Sequence, residues 1–145
     1  MGYTHYWWRP PKLNAKAYAV AIVDCRRMLA MTGIALAGPD GTGAAVFEET
    51  DCAFNGPGND HCETFAMPLQ EEPEGVEPLL FRFSKTNLHP YDLIVQIALI
   101  IFAHHLPAGG DEFILRSDGD EPDWEKAKTL CQNELGYGID LNLRK

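Results

Sequence analysis

The chain is poor in positive charge. Its 12 Lys and Arg residues stand against 21 Asp and Glu, a formal net charge of −9. Phosphate contacts generally need clustered cations, so direct binding to nucleic acid or to an anionic membrane is not expected. A long apolar run is also missing. The most hydrophobic stretch, Leu93 to Ala103, carries only Gln96 as a polar residue and is about half the length that crosses a bilayer. It reads as a core helix, not a membrane span. The four cysteines, Cys25, Cys52, Cys62 and Cys131, are scattered, and no basic start followed by an apolar run resembles a signal peptide. A reduced, cytoplasmic protein without disulfide, metal or cofactor is expected. The Gly2 start departs from the myristoylation pattern, which wants Ser or Thr where this chain has Tyr6. No internal period suggests repeats.

What is present suffices for one core: 145 residues at 46% hydrophobic content fit a single domain. Gly2 to Trp8 favours a strand stopped by Pro10-Pro11. Alternation puts Tyr3, His5 and Trp7 on one face and Thr4, Tyr6 and Trp8 on the other. Asn14 caps a predicted helix to about Met31, stopped by Thr32-Gly33. Ile34 to Met67 reads as short antiparallel strands, at Ile34–Leu36, Val46–Phe47, Ala53–Phe54 and Glu63–Met67, separated by glycine-rich turns. The glutamate-rich segment Leu69 to Pro78 reads as a solvated loop. A strand over Leu79–Phe83, a buried helix from Tyr91 to about His105 opened by Pro90, a strand over Phe113–Leu115 and a helix from Pro122 to Leu135 complete the series. The order predicts an α+β domain, a mainly antiparallel sheet with about three helices packed on one face.

Most chemical motifs fall short of their full patterns. Gly38 to Gly43 lacks the Gly-Lys-Ser/Thr ending of a phosphate loop and reads as a turn. His61-Cys62-Glu63 has no Pro-Cys-x-x-Cys partner, and Cys52, His61 and Cys62 fall short of a four-ligand zinc site. Cys25 and Cys131 fit helix cores. His104-His105 suits the end of a helix, where the dipole favours protonated imidazole. Ser117-Asp118-Gly119-Asp120-Glu121 is a turn and cap, not a calcium loop. The remaining pair is Lys85-Thr86 and Pro90-Tyr91-Asp92, which bracket a loop leading into the buried helix. Free amides, a cation and hydroxyls there can hold an anion, with an aromatic ring from Tyr6, Trp7 or Trp8 stacking on a planar group. Solvation of Lys85 and capping by Asp92 explain the same residues.

The strings Gly2-Tyr3-Thr4-His5-Tyr6-Trp7, Phe54-Asn55-Gly56, Glu63-Thr64-Phe65, Lys85-Thr86 with Pro90-Tyr91-Asp92, and Ser117-Asp118-Gly119 with Trp124 together resemble a family of small uncharacterised proteins of bacteriophages and prophages that begin Met-Gly-Tyr-Thr-His-Tyr-Trp. The resemblance implies activity in the cytoplasm of an infected bacterium and carries no known reaction. Small phage accessory proteins often counter host defences, which by analogy gives three expectations. The first is a non-enzymatic module that sequesters a small anionic, nucleotide-derived ligand using His5, Tyr6, Trp7, Lys85, Thr86, Tyr91, Asp92 and Asp118. The second is an acidic inhibitor of a host defence protein, drawing on the glutamate-rich loop. The third is a phosphodiesterase or nucleotide hydrolase using His5 with Asp118 or Asp92. Exposed Trp and Tyr equally suit a homo-oligomer interface.

Overall fold

A computed structural model describes residues 3–143; the expected strand start at Gly2 lies outside them. These residues form three α-helices and two three-stranded antiparallel sheets, an α+β fold. β1 (Thr4–Arg9) is the centre of the larger sheet. β5 (Leu80–Lys85) and β6 (Ile114–Ser117) flank it, both antiparallel, in the order β5-β1-β6. β2 (Val46–Phe47), β3 (Cys52–Phe54) and β4 (Phe65–Ala66) form the smaller sheet. The sheet expected as one is thus divided. Ile34–Leu36 makes no ladder either: Ala37 alone bridges to Asn55, because the tight turn after Gly38 redirects the chain. In that turn Gly38 donates to the carbonyls of Thr42 and Gly43.

Helix ends follow their caps. In α1 (Ala15–Thr32) the Asn14 side chain accepts from the amide of Ala17, and Gly33 closes the helix in the left-handed region at φ 67°. α3 (Glu121–Leu135) opens with a capping box between Asp120 and Asp123 and ends at Gly136 with φ 87°. α2 (Asp92–Ala108) runs past the expected end, through Pro107. Its buried residues include every position from Ile94 to Phe102, as expected of a helix apolar on all sides. It lies between α1 and α3 with β6 against it, and the buried apolar side chains form one contiguous cluster. Among the described residues no helix is long and apolar enough to cross a membrane.

Arg9 locks the end of β1. Its guanidinium is fully buried, pairs with Glu71 at 3.2 Å and donates to the carbonyls of Pro11 and Leu69 at 3.2 and 3.3 Å. Burial depresses its pKa, and Glu71 opposes that shift. The glutamate-rich loop is therefore tethered at its start: Arg82 also holds Glu71 at 2.9 Å and Glu74 at 2.8 Å.

Candidate functional site

β1 divides the molecule into two chemically different sides. His5, Trp7 and Arg9 point into the protein, while Tyr6 and Trp8 point away from the helices and stay partly exposed.

On the inner side His5 sits in a polar hub. Its Nδ1 lies 2.7 Å from Ser117 Oγ and its Nε2 2.7 Å from Asp92 Oδ1. Ser117 Oγ already accepts from the amide of Gly119 at 2.9 Å and from Trp124 Nε1 at 3.2 Å. Both its lone pairs are thus occupied, so its own proton goes to Nδ1, and the neutral His5 ring carries its hydrogen on Nε2 and donates it to Asp92. Asp92 Oδ1 also accepts from Thr86 Oγ1 at 2.5 Å, and Oδ2 accepts from Gln96 Nε2 at 3.0 Å. Tyr3 and Trp124 meet the His5 ring edge-on, with centroids 5.2 and 5.1 Å away. Burial and the nearby carboxylates of Asp92 and Asp123 raise the Tyr3 phenol to about 12. The hub joins β1, β6, α2, α3 and the turn before α2. That turn places two successive non-glycine residues, Asn87 and Leu88, at φ 53° and 62°, a conformation that costs energy and persists only where the surroundings enforce it. With both ring nitrogens engaged and no exposed surface, His5 meets a substrate only if the hub opens.

On the outer side the rings form a platform. Tyr6 stacks against Phe81 at 6.1 Å and 12°, Trp8 lies 4.9 Å from Phe81, and Phe83 lies 5.9 Å from Phe81. The Arg116 guanidinium sits 5.3 Å from the Trp8 ring centroid, a cation–π contact. Lys85 stands at the end of the platform, opposite Thr4. Phe81 and Phe83 are 44% and 53% exposed.

The eight residues picked from sequence thus separate. His5, Thr86 and Asp92 meet in the hub. Tyr6 and Lys85 belong to the outer face. Trp7 is core, packed on Phe65 at 5.2 Å, and so is Tyr91, whose hydroxyl donates to the Glu63 carbonyl at 2.6 Å. The Asp118 carboxylate accepts from the Thr4 amide at 3.0 Å, which ties the chain just after β6 to the start of β1. Gln96, Ser117 and Trp124 were not among the candidates, nor were Phe81, Phe83 and Arg116. The Phe81-x-Phe83 alternation was the visible signal for the outer face. Among the described residues no group of three or more His, Cys, Asp or Glu side chains is placed to hold a metal ion, and Cys25, Cys52 and Cys131 are buried, their thiol pKa values raised by burial.

Two hollows accompany these surfaces. One, of about 410 Å³, opens between the start of α2 and α3, lined by His89, Asp92, Leu93, Gln96, Asp123 and Lys126 among others. The second, of about 330 Å³, lies where the tail after α3 crosses α2, beside His104 and Tyr137. There the rings of His104 and Tyr137 stack at 3.7 Å, and Asp24 Oδ2 accepts from Tyr137 at 2.6 Å and from His105 Nε2 at 2.7 Å. Burial and the neighbouring His105 lower the pKa of His104.

No family model, curated protein or solved structure matches this chain.

Proposed function

We propose that the chain is a phage accessory protein that acts by binding a protein of the infected bacterium, and that its working surface is the uncovered aromatic face of the β5-β1-β6 sheet. The observation that supports this reading is the platform of Tyr6, Trp8, Phe81 and Phe83 beside Arg116. Aromatic rings and Arg are the residues that concentrate binding energy in protein interfaces. A flat platform leaves much of a small molecule in water, whereas small-ligand sites enclose most of it. The face therefore favours a macromolecule over a sequestered nucleotide.

Charge narrows the partner. Neither Arg116 nor Lys85 belongs to an ion pair among the described residues, so the matching surface is apolar at its centre and carries acidic groups at its rim. The glutamate-rich loop suits a nucleic-acid mimic less well, because Arg9 and Arg82 already engage Glu71 and Glu74.

The test compares the tagged chain with a Phe81→Ser/Phe83→Ser double variant, both expressed in a bacterium and crosslinked before purification. The expected result is a defined host protein that co-elutes with the unmodified chain, survives salt that screens surface charge, and is lost with the double variant. Equal recovery by the variant, or nucleotide retained in place of protein, would overturn the reading.

A further inference from the structure

A surface that is apolar at its centre and acidic at its rim, the match to the aromatic face, is carried by the chain itself. The outward positions of β1, β5 and β6 hold two cations, Lys85 and Arg116, and no carboxylate. Two strands across and two residues along, these cations stand about 12 Å apart by ordinary sheet spacings. The loop over residues 72–77 has the reverse pattern. Gly75 turns it at φ 61°, and Val76, next in the chain, is 98% exposed. Glu72 and Glu77 flank that turn, both exposed and in no ion pair among the described residues. Five residues of chain reach at most about 17 Å, so the two glutamates can span the interval between the two cations. The loop is also held in place. Arg82, opposite Trp7 and therefore on the inner side of the sheet, binds Glu71 and Glu74, and Pro73 narrows the conformations between them. At its exposure Val76 stands clear of its own platform, where Phe81 and Phe83 remain 44% and 53% exposed. Within one chain the two surfaces do not meet.

We propose that they meet between two copies: the 72–77 loop of one chain seats on the aromatic face of another, with Val76 on the rings of Phe81 and Phe83 and the glutamates on Lys85 and Arg116. Each copy offers one loop and one face, so reciprocal exchange closes a two-fold dimer and uses both surfaces of each chain. Burial of Val76 and the two rings supplies the attraction, and the charge pairs set the register. A net charge of −9 on each copy opposes their approach, but physiological salt screens charges beyond about 8 Å and leaves the short pairs in place. This contact rests on the same reading of the face as a binding surface. It also regulates that surface, because a host protein must displace the second copy to reach it.

The test is analytical ultracentrifugation of the full chain and of two charge-swapped variants, at micromolar to millimolar concentration. Lys85→Glu/Arg116→Glu makes the face acidic like the loop, and Glu72→Lys/Glu77→Lys makes the loop basic like the face. The unmodified chain should show a monomer–dimer equilibrium. Either variant alone should raise the dissociation constant about tenfold or more. Mixing the two should recover the dimer, because in the mixed pair every face meets a loop of opposite sign. Val76→Asp, at a position too exposed to matter for folding, should weaken the dimer about tenfold by placing a charge against the rings. A chain that stays monomeric up to millimolar concentration, a dimer indifferent to Val76→Asp, or variants that do not restore each other overturns the proposal. Host protein captured by a chain that stays monomeric removes the second copy from the face and keeps the face as a host-binding surface. A dimer that obeys the charge swap while no host protein is captured does the reverse.

Discussion

Replacing Asp92 by Asn removes the charge from the inner hub while keeping its shape, and the hydrogen-bond geometry sets the cost. The Asn carbonyl can still accept from His5 Nε2 and Thr86 Oγ1, but its amide then points at Gln96 Nε2, another donor. Turning Gln96 over only moves the conflict, since its oxygen would meet the Asp123 carbonyl that Nε2 now contacts at 3.3 Å. One buried contact therefore becomes repulsive, which costs about 1–3 kcal/mol. Two bonds to an ionised acceptor become neutral, a loss of about 1 kcal/mol each. The expected sum of about 3–5 kcal/mol is a large share of the roughly 5–15 kcal/mol that holds a domain together. Urea unfolding followed by Trp fluorescence should show the midpoint falling by roughly 2 M at unchanged slope, given slopes of about 1–3 kcal/mol per M. Thr86→Val, which deletes one donor, should lose about 2 kcal/mol, and the double variant should lose less than the sum, because both changes act on Asp92 Oδ1. A change below about 0.5 kcal/mol for Asp92→Asn, the size of an ordinary surface substitution, would refute the hub as a cohesive unit.

Stability should also fall as pH rises from about 10 to about 12. An unfolded tyrosine loses its proton near 10, whereas Tyr3 in the fold holds its proton to about 12, so the unfolded chain binds fewer protons in that window. Absorbance at alkaline pH, followed together with unfolding, checks the coincidence. Gly56→Ala should destabilise by about 2 kcal/mol or more, a strain penalty read by thermal unfolding: the added methyl would press on the Asp60 carbonyl and lie 2.9 Å from the Tyr91 ring. Phe81→Ser/Phe83→Ser should keep stability within about 1 kcal/mol, since both side chains are half exposed, and a larger loss in urea would mark the outer face as structural.

Local signals were readable from the sequence wherever the chemistry is local. Asn14, Gly33, Asp120 and Gly136 mark helix ends by side-chain and backbone preferences that act within a turn, and α1 and α3 begin and end there. The apolar run around Leu99 announced the central helix. The β1 alternation was also legible, but with aromatics at both parities it could not say which side faces water. The partners of His5 were out of reach, because Asp92 and Ser117 stand 87 and 112 positions away and no spacing rule spans such distances. Lys85 and Thr86, neighbours in the chain, fall on opposite sides of the sheet by the alternation of extended backbone: Lys85 has the parity of Tyr6, while Thr86 turns inward to Asp92.

The central position of β1 sets a timetable for synthesis. β1 leaves the ribosome before both of its neighbours, one of which ends at Lys85 and the other at Ser117. Until both emerge, Tyr6, Trp7 and Trp8 travel with an unpaired backbone on either side. Pairing over such separations makes closure slow and leaves a sticky nascent segment open to premature contacts. Translation that pauses before residue 117 prolongs that interval, so the N-terminal aromatics that complete the folded sheet are also where a nascent chain is most in need of a chaperone.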